Sequence, residues 1–355
     1  MCGNYQMNKE FLDTICSHDI APYGSDLLVR MESNLTKYFE REYRRHHSEA
    51  LPEDYGVSSF DGPISTHEHN SETVSHYNDH IDIYMSFLDS QHHAYTMAYF
   101  GFEDGIAPDV LPSLSDAQSK KFDLIVSRLE IADGMNIVEF GCGFGGFARY
   151  ILDRFPNCTI TGFNPSETQA THLRETMLND EAYKDRFSFV QDFIGSNNMK
   201  SNHRSSFDKA VSIGLLESIR NLDKFNELVS FYLKEGGEAL HHSIVSMDTI
   251  PQLLDASQTM IKDYYPGGRI WPYREYMRHN KHMKPQNSWF INGMNYWTTL
   301  DMWHKNFWDN LDAIFPSRLS VEEVRKWNDY FVMCKAMFSP NNGKSYGNAH
   351  YLFKN

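Results

Sequence analysis

The sequence predicts an α/β protein of the Rossmann-like kind, a mostly parallel sheet with helices on both faces. Three observations carry that prediction. From about residue 113, short apolar runs alternate with amphipathic stretches at the spacing of βαβ units. Three Ser–Gln/Glu pairs at capping-box spacing, Ser115/Gln118, Ser166/Gln169 and Ser320/Glu323, mark helix starts. A glycine cluster at 141–146 follows the first apolar run, where such folds bind ligands against bare main chain.

The elements follow in order. Phe122, Ile125 and Leu129 recur at helical spacing, and Gly134 is read as the end of that helix. Residues 136–140 form the first strand, and Phe147, Ile151 and Leu152 mark the helix after it. Strand two covers 158–163, the helix opened by Ser166 runs to about 179, and strand three covers 187–190. Strand four covers 207–213. Leu222, Phe225, Leu228, Val229 and Tyr232 outline a helix stopped by Gly236 and Gly237, and strand five covers 238–244. A last helix carries Val324, Trp327, Phe331 and Cys334 inward, and 349–353 reads as a final antiparallel strand. Upstream, 27–45 is helical and 47–75 a polar loop. Four regions result: a helical cap with a closing segment (1–112), the sheet core (113–246), an aromatic-rich insertion over the crevice (247–319), and the last helix and strand (320–355).

Composition excludes several classes. The chain has 355 residues, 41% hydrophobic and 23% charged, as a folded globular protein does. No run of about 18 apolar residues suggests a membrane span. The N-terminus lacks the apolar centre of a secretion signal, so the expected location is the cytoplasm. Cys2, Cys16, Cys142, Cys158 and Cys334 are scattered and read as reduced thiols. The pairs His46-His47, His92-His93 and His241-His242 lack metal-ligand spacing, so no metal is expected. A net charge of −14 repels nucleic acid and anionic lipid and draws cations.

Gly141, Gly143 and Gly146 satisfy the G-x-G-x-x-G pattern of dinucleotide dehydrogenases. Two features oppose that reading. Glu139 places an acid in the strand two residues before the first glycine. The end of strand two offers Asn164 in place of the acid that would hold a ribose, although Glu167 lies close by.

From His76 to the C-terminus the chain resembles the cyclopropane-fatty-acid-synthase-like methyltransferases, which include the cyclopropane and mycolic acid synthases and the coclaurine-type alkaloid N-methyltransferases. His76-Tyr77-Asn78-Asp79, Phe87-Leu88-Asp89, Tyr95 to Phe100 and His242-Ser243-Ile244 resemble the lipid branch. The glycine loop resembles both branches. Asn164 to Gln169 sits at the T-x-S-x-x-Q motif and Ser212 to Ser218 at S-I-x-x-F-E-H. Trp289 to Gly293, Tyr296, Trp303, Phe338 with Asn341-Asn342-Gly343, and His350 to Lys354 resemble the alkaloid branch. The resemblance implies a class I methyltransferase fold with a mostly parallel seven-stranded sheet, a helical N-terminal cap and an inserted lid. Its cofactor would be S-adenosyl-L-methionine, leaving as S-adenosyl-L-homocysteine. Glu139, Gly141, Gly143, Gly145 and Asn164 would lie at the cofactor, Gln169 at its ribose, and Asp192 with Phe193 at its adenine. Tyr95 and Thr96 would close over its methionine end.

Methyl transfer to an amine requires an oriented, unprotonated nitrogen. Glu217 follows strand four and His242 lies on strand five, so adjacent strands would bring them together. Tyr296 matches a family tyrosine completing the cluster. Two departures stand out: Met97 replaces the cysteine of the cyclopropane synthases, and Ser218 replaces a histidine present in both branches. The insertion's Tyr264, Tyr265, Trp271, Tyr273, Trp289, Phe290, Tyr296 and Trp297 would form an aromatic box or pack a lid. The first reading is N-methylation of a small amine. The alternatives are C-methylation or cyclopropanation-like modification of a lipid or isoprenoid, a nicotinamide-dependent oxidoreductase, and a cofactor-binding protein without catalysis. The expected partners are a cationic or aromatic small-molecule acceptor and a second copy of the chain, without nucleic acid or stable membrane association.

Overall fold

The computed structural model describes residues 9–48, 62–64, 74, 77–195, 203–247, 252–253 and 268–355. The chain begins with helices α1 (Lys9–Ser17), α2 (Asp26–Ser48), α3 (Ile81–Phe87) and α4 (Leu114–Leu129). Strand β1 (Asn136–Phe140) is followed by α5 (Gly146–Arg154), β2 (Thr159–Phe163), α6 (Glu167–Leu173), β3 (Phe187–Val190) and β4 (Phe207–Ile213). Next come α7 (Leu222–Tyr232), β5 (Leu233–Ser246), β6 (Gln252–Leu253), β7 (Arg269–Pro272) and β8 (Lys284–Asn292). Helices α8 (Met294–Asp309), α9 (Leu311–Ile314), α10 (Val321–Phe338) and α11 (Pro340–Gly343) precede β9 (Tyr346–Lys354).

Among the described residues the sheet has nine strands, with a main layer of seven in the order β3-β2-β1-β4-β5-β9-β8. Strands β1 to β5 are parallel, while β9 runs antiparallel to both β5 and β8. The short β7 pairs in parallel with the end of β5, and β6 pairs with β7. Strand β8 lies within the 247–319 span, so that stretch extends the sheet as well as adding helix α8.

Continuous apolar runs become parallel strands because both faces are covered. On β1, Ile137 packs with Phe147, Ile151 and Leu152 of α5, while Val138 packs with Phe225, Leu228 and Val229 of α7. On β5, Ala239 and Leu240 divide between the same two layers.

Three local expectations are corrected. The cap of α4 is Ser113, whose side chain accepts from the Asp116 amide; Ser115 lies inside the helix. Gln118 does not close a capping box but turns inward to donate to the carbonyls of Ala94 and Thr96. Helix α4 stops at Leu129 with Glu130 in the left-handed region, short of Gly134. Ser320 and Glu323 do form a full capping box. Cys142, Cys158 and Cys334 are free and buried, whereas Cys16 is disulfide-bonded, against the expectation of reduced thiols throughout. Cys2 and most of the 47–75 loop lie outside the described residues. Among the described residues, no helix is long and apolar enough to cross a membrane.

The N-terminal cap is anchored by an ionic cluster. Lys335 on α10 is buried and lies 3.0 Å from both Glu32 of α2 and Asp301 of α8. Trp297 Nε1 donates to Glu32 and Tyr23 Oη donates to Asp301, each at 2.8 Å. Lys335→Met strands two carboxylates with no cation between them, and should cost about 3 kcal/mol or more in denaturant unfolding. Adding Glu32→Gln and Asp301→Asn to that variant should recover part of the loss.

Candidate active site

The glycine turn builds the first half of the site. Gly141 and Cys142 donate their amides to the Phe163 carbonyl at 2.8 and 3.1 Å, tying the turn to the end of β2. Gly145, with φ 80°, caps α5 without a side-chain acceptor. A Cβ at Gly145 would lie 2.6 Å from Leu173 and 2.7 Å from Met177, so α6 packs directly on the loop. A Cβ at Gly146 would land on the His92 carbonyl oxygen, and one at Gly214 would lie 2.9 Å from Thr96. Segment 92–97 therefore lies flush across the turn. Gln118 holds its carbonyls, and Lys121 donates to Thr96 Oγ1 at 2.6 Å and Gln118 Oε1 at 2.5 Å.

These approaches enclose a cavity of about 160 Å³ beyond the C-terminal ends of β1, β2 and β4. Tyr95, Thr96, Glu139, Gly141, Gly143, Asn164, Gln169 and Phe193 line it. Gly145 does not; it serves packing, and Gly146 takes its place in the wall. Asp192 also stays out of the wall and accepts from the Phe193 amide. Gln169 makes only half of a capping box: Ser166 Oγ accepts from its amide, while its side-chain oxygen accepts from Asn164 Nδ2 at 2.6 Å. Glu139 is buried, and its Oε2 has no hydrogen-bond partner. Burial pushes this carboxyl well above the usual range, against the pull of Lys121. Burial likewise drives the Lys121 ammonium down to about 7. A ligand carrying positive charge would compensate the buried Glu139 carboxylate.

A second chamber of about 60 Å³ shares Tyr77, Tyr95, Thr96, Gly214 and Ser218 with the first. All three sequence candidates line it: Glu217, His242 and Tyr296. Glu217 sits on the single turn Leu216–Ser218 after β4, where its Oε1 accepts from the Ile244 amide at 2.6 Å. Its Oε2 is buried and has no hydrogen-bond partner. Burial raises this carboxyl to about 7, although the Ile244 amide favours the charged form. His242 is bonded at both ring nitrogens, to His350 at 2.9 Å and to Asn348 at 3.1 Å. Burial first, then Lys121 and Arg128, hold it well below its ordinary value, so it is neutral. Met97 is fully buried in the chamber wall.

The insertion's aromatic residues mostly do other work. Trp271 Nε1 donates to the Leu216 carbonyl, Trp289 stacks under Arg128, and Trp297 belongs to the Lys335 cluster. Tyr264 and Tyr265 lie outside the described residues. Of that set, Tyr296 alone among the described residues lines the chamber; its other aromatic walls are Tyr77, Tyr95, Tyr330 and Phe338. Tyr77 and Gly214 were visible inside the motifs quoted above. Phe338 was visible in the alkaloid-like stretch as well, whereas Tyr330 and Asn348 gave no local signal, because α10 and β9 reach the chamber only through the tertiary fold. Among the described residues, no cluster of His, Cys, Asp or Glu is placed to hold a metal.

Gly146→Ala forces a methyl group onto the His92 carbonyl. Calorimetry should show S-adenosylhomocysteine binding weakened by about tenfold or more, since a displacement of the loop removes the close main-chain approach.

Comparison with known proteins identifies the family. Residues 64–346 match the family model described as mycolic acid cyclopropane synthetase. Pavine N-methyltransferase of Thalictrum flavum subsp. glaucum is 23% identical over 71% of this chain and 73% of its own. Cyclopropane-fatty-acyl-phospholipid synthase of Escherichia coli (strain K12) is 26% identical over 64% of this chain and 56% of its own. The crystal structure of coclaurine N-methyltransferase bound to N-methylheliamine and S-adenosylhomocysteine superposes with a TM-score of 0.77, at 19% identity, over 93% of this chain and 99% of that one. With four fifths of its length inside the family model, the chain belongs to the mycolic acid cyclopropane synthetase family of S-adenosylmethionine-dependent methyltransferases.

Proposed function

We propose that the protein methylates the nitrogen of a small amine, with Glu217 as the general base. The observation that carries this reading is the buried, unpartnered Glu217 Oε2 in a chamber joined to the glycine-lined cavity. The cofactor fits the residues present: Glu139 offers an unpaired buried oxygen, and the glycine turn is a cradle that side chains would fill. Bound there, S-adenosylmethionine supplies an electrophilic methyl group. Thr96, Gln169 and the glycine main chain would hold it, and Tyr95 and Tyr77 line both spaces.

At the acceptor, Glu217 Oε2 takes the proton that the nitrogen sheds as its bond to the methyl carbon forms. A carboxyl with a pKa of about 7 is well matched to that task near neutral pH. His242 has both nitrogens occupied and positions the chamber wall instead of receiving the proton. Tyr296 stacks on Phe338 with ring centroids 4.5 Å apart and closes the aromatic side. These walls suit an aromatic or cationic amine, and the alkaloid N-methyltransferase relatives support that class. Methylene transfer to a lipid loses support at Met97, where the resembled synthases carry a cysteine.

Labelled methyl transfer to panels of amines, lipids and isoprenoids tests the reading, which fails if amines are not methylated. Glu217→Gln should lower kcat by ~10²-fold or more. In the wild type, kcat/KM should rise with pH through about 7 as Glu217 ionises, and this limb should vanish in the variant. Stability runs the other way. Because the folded carboxyl binds its proton more tightly than the unfolded one, Glu217's contribution is full below its ordinary 4.5 and lost as pH rises through about 7. Melting temperatures of wild type and Glu217→Gln across that window check the sign.

A further inference from the structure

A hydrogen-bonded line leads from the outside of the sheet into the acceptor chamber. Arg128 on α4 lies over the Trp289 ring at 4.5 Å and meets His350 Nδ1 at 2.7 Å. His350 and His242 are directly opposed across β9 and β5, and His350 Nε2 meets His242 Nδ1 at 2.9 Å. His242 Nε2 meets the side-chain amide of Asn348, which lines the chamber, at 3.1 Å.

The protons along this line can be assigned. A guanidinium only donates, so His350 Nδ1 must accept. A neutral imidazole then carries its proton on Nε2, and His350 donates to His242 Nδ1. The same rule puts the His242 proton on Nε2, pointing at Asn348. Burial first, and then neighbouring cations, keep both rings neutral. Asn348 Nδ2 facing Nε2–H would set two donors against each other and leave Oδ1 buried without a partner. The two ends of the amide have the same shape, so the hydrogen bonds decide its orientation. Turned over, Oδ1 accepts from His242, and the free end of the amide is the N–H₂ donor.

We propose that Arg128 and His350 are positioning residues that make Asn348 present a hydrogen-bond donor to the acceptor chamber, so that the preferred substrate is an amine that also carries a hydrogen-bond-accepting oxygen. This rests on the amine reading above and narrows it. Glu217 takes the N–H end of the acceptor, and the Asn348 amide takes the oxygen. A buried donor left unpaired by a substrate lacking that oxygen is the source of discrimination.

Two measurements on the full chain test this. In ¹⁵N-histidine-labelled protein, with resonances assigned by single substitutions, His242 and His350 should both be neutral with the proton on Nε2 between about pH 5 and 8. In Arg128→Leu, Nδ1 of His350 should become protonated in part of the population. A proton on Nδ1 of either ring in the wild type, or titration of either ring in that range, overturns the proposal without touching the amine reading. In methyl-transfer assays with phenethylamine, tyramine and phenylethanolamine, the better hydroxylated amine should exceed the parent in kcat/KM by about tenfold or more. That ratio should fall to about one in Asn348→Leu and decrease in Arg128→Leu. Amines methylated with no preference for oxygen sink the proposal alone, whereas no methylation of any amine sinks the amine reading with it.

Discussion

The site depends on main chain approaching main chain more closely than side chains permit. Segment 92–97 reaches the glycine turn only because Gly146 and Gly214 present no Cβ to the His92 carbonyl and to Thr96. Gly145 gives α6 the same access from the other side. Those contacts fix the cavity floor, and Lys121 with Gln118 fixes its lid from α4. The second chamber inherits its geometry from the first, because the same segment supplies Tyr95 and Thr96 to both.

Polar groups buried in these hollows oppose folding unless something pairs with them. Glu139 and Glu217, which line the two spaces, each keep one oxygen without a hydrogen bond. Ligands that bring N–H groups or positive charge therefore meet a site already shaped for them. The rest of the molecule supplies the stability that this arrangement lacks. Two covered faces of the sheet and the buried Lys335 cluster hold the walls in place from outside. The Arg128–His350–His242 line plays a similar part within the sheet, where it fixes ring orientation and proton position together.

Much of the core was legible because its signals are local. The apolar runs of β1 to β5 lie where periodicity placed them, and the turn at 141–146 needed only glycines before a helix. The errors also have local causes. Ser113 and Ser115 are both plausible caps by spacing, and only the extended backbone of Ser113 decides between them. Gln118 looked like a capping partner, yet the carbonyls of Ala94 and Thr96 offer it buried bonds that no sequence window contains. The aromatic insertion suggested a box, but Trp271, Trp289 and Trp297 found partners on the turn after β4, on α4 and on α2.

The sequence alone determined strands β1 to β5 and β9, the glycine turn, and the places of Glu139 and His242 on strands and of Glu217 just after one, since each depends on residues close together in the chain. It did not determine what those groups face. Asn348 and His350 on β9, Tyr330 and Phe338 on α10, and Tyr77 ahead of α3 are separated from Glu217 by about a hundred residues or more. They meet it only when β9 inserts antiparallel beside β5 and the cap closes over the crevice. Burial, and with it the raised Glu217 carboxyl and the neutral histidine pair, is a property of that packing and not of any segment.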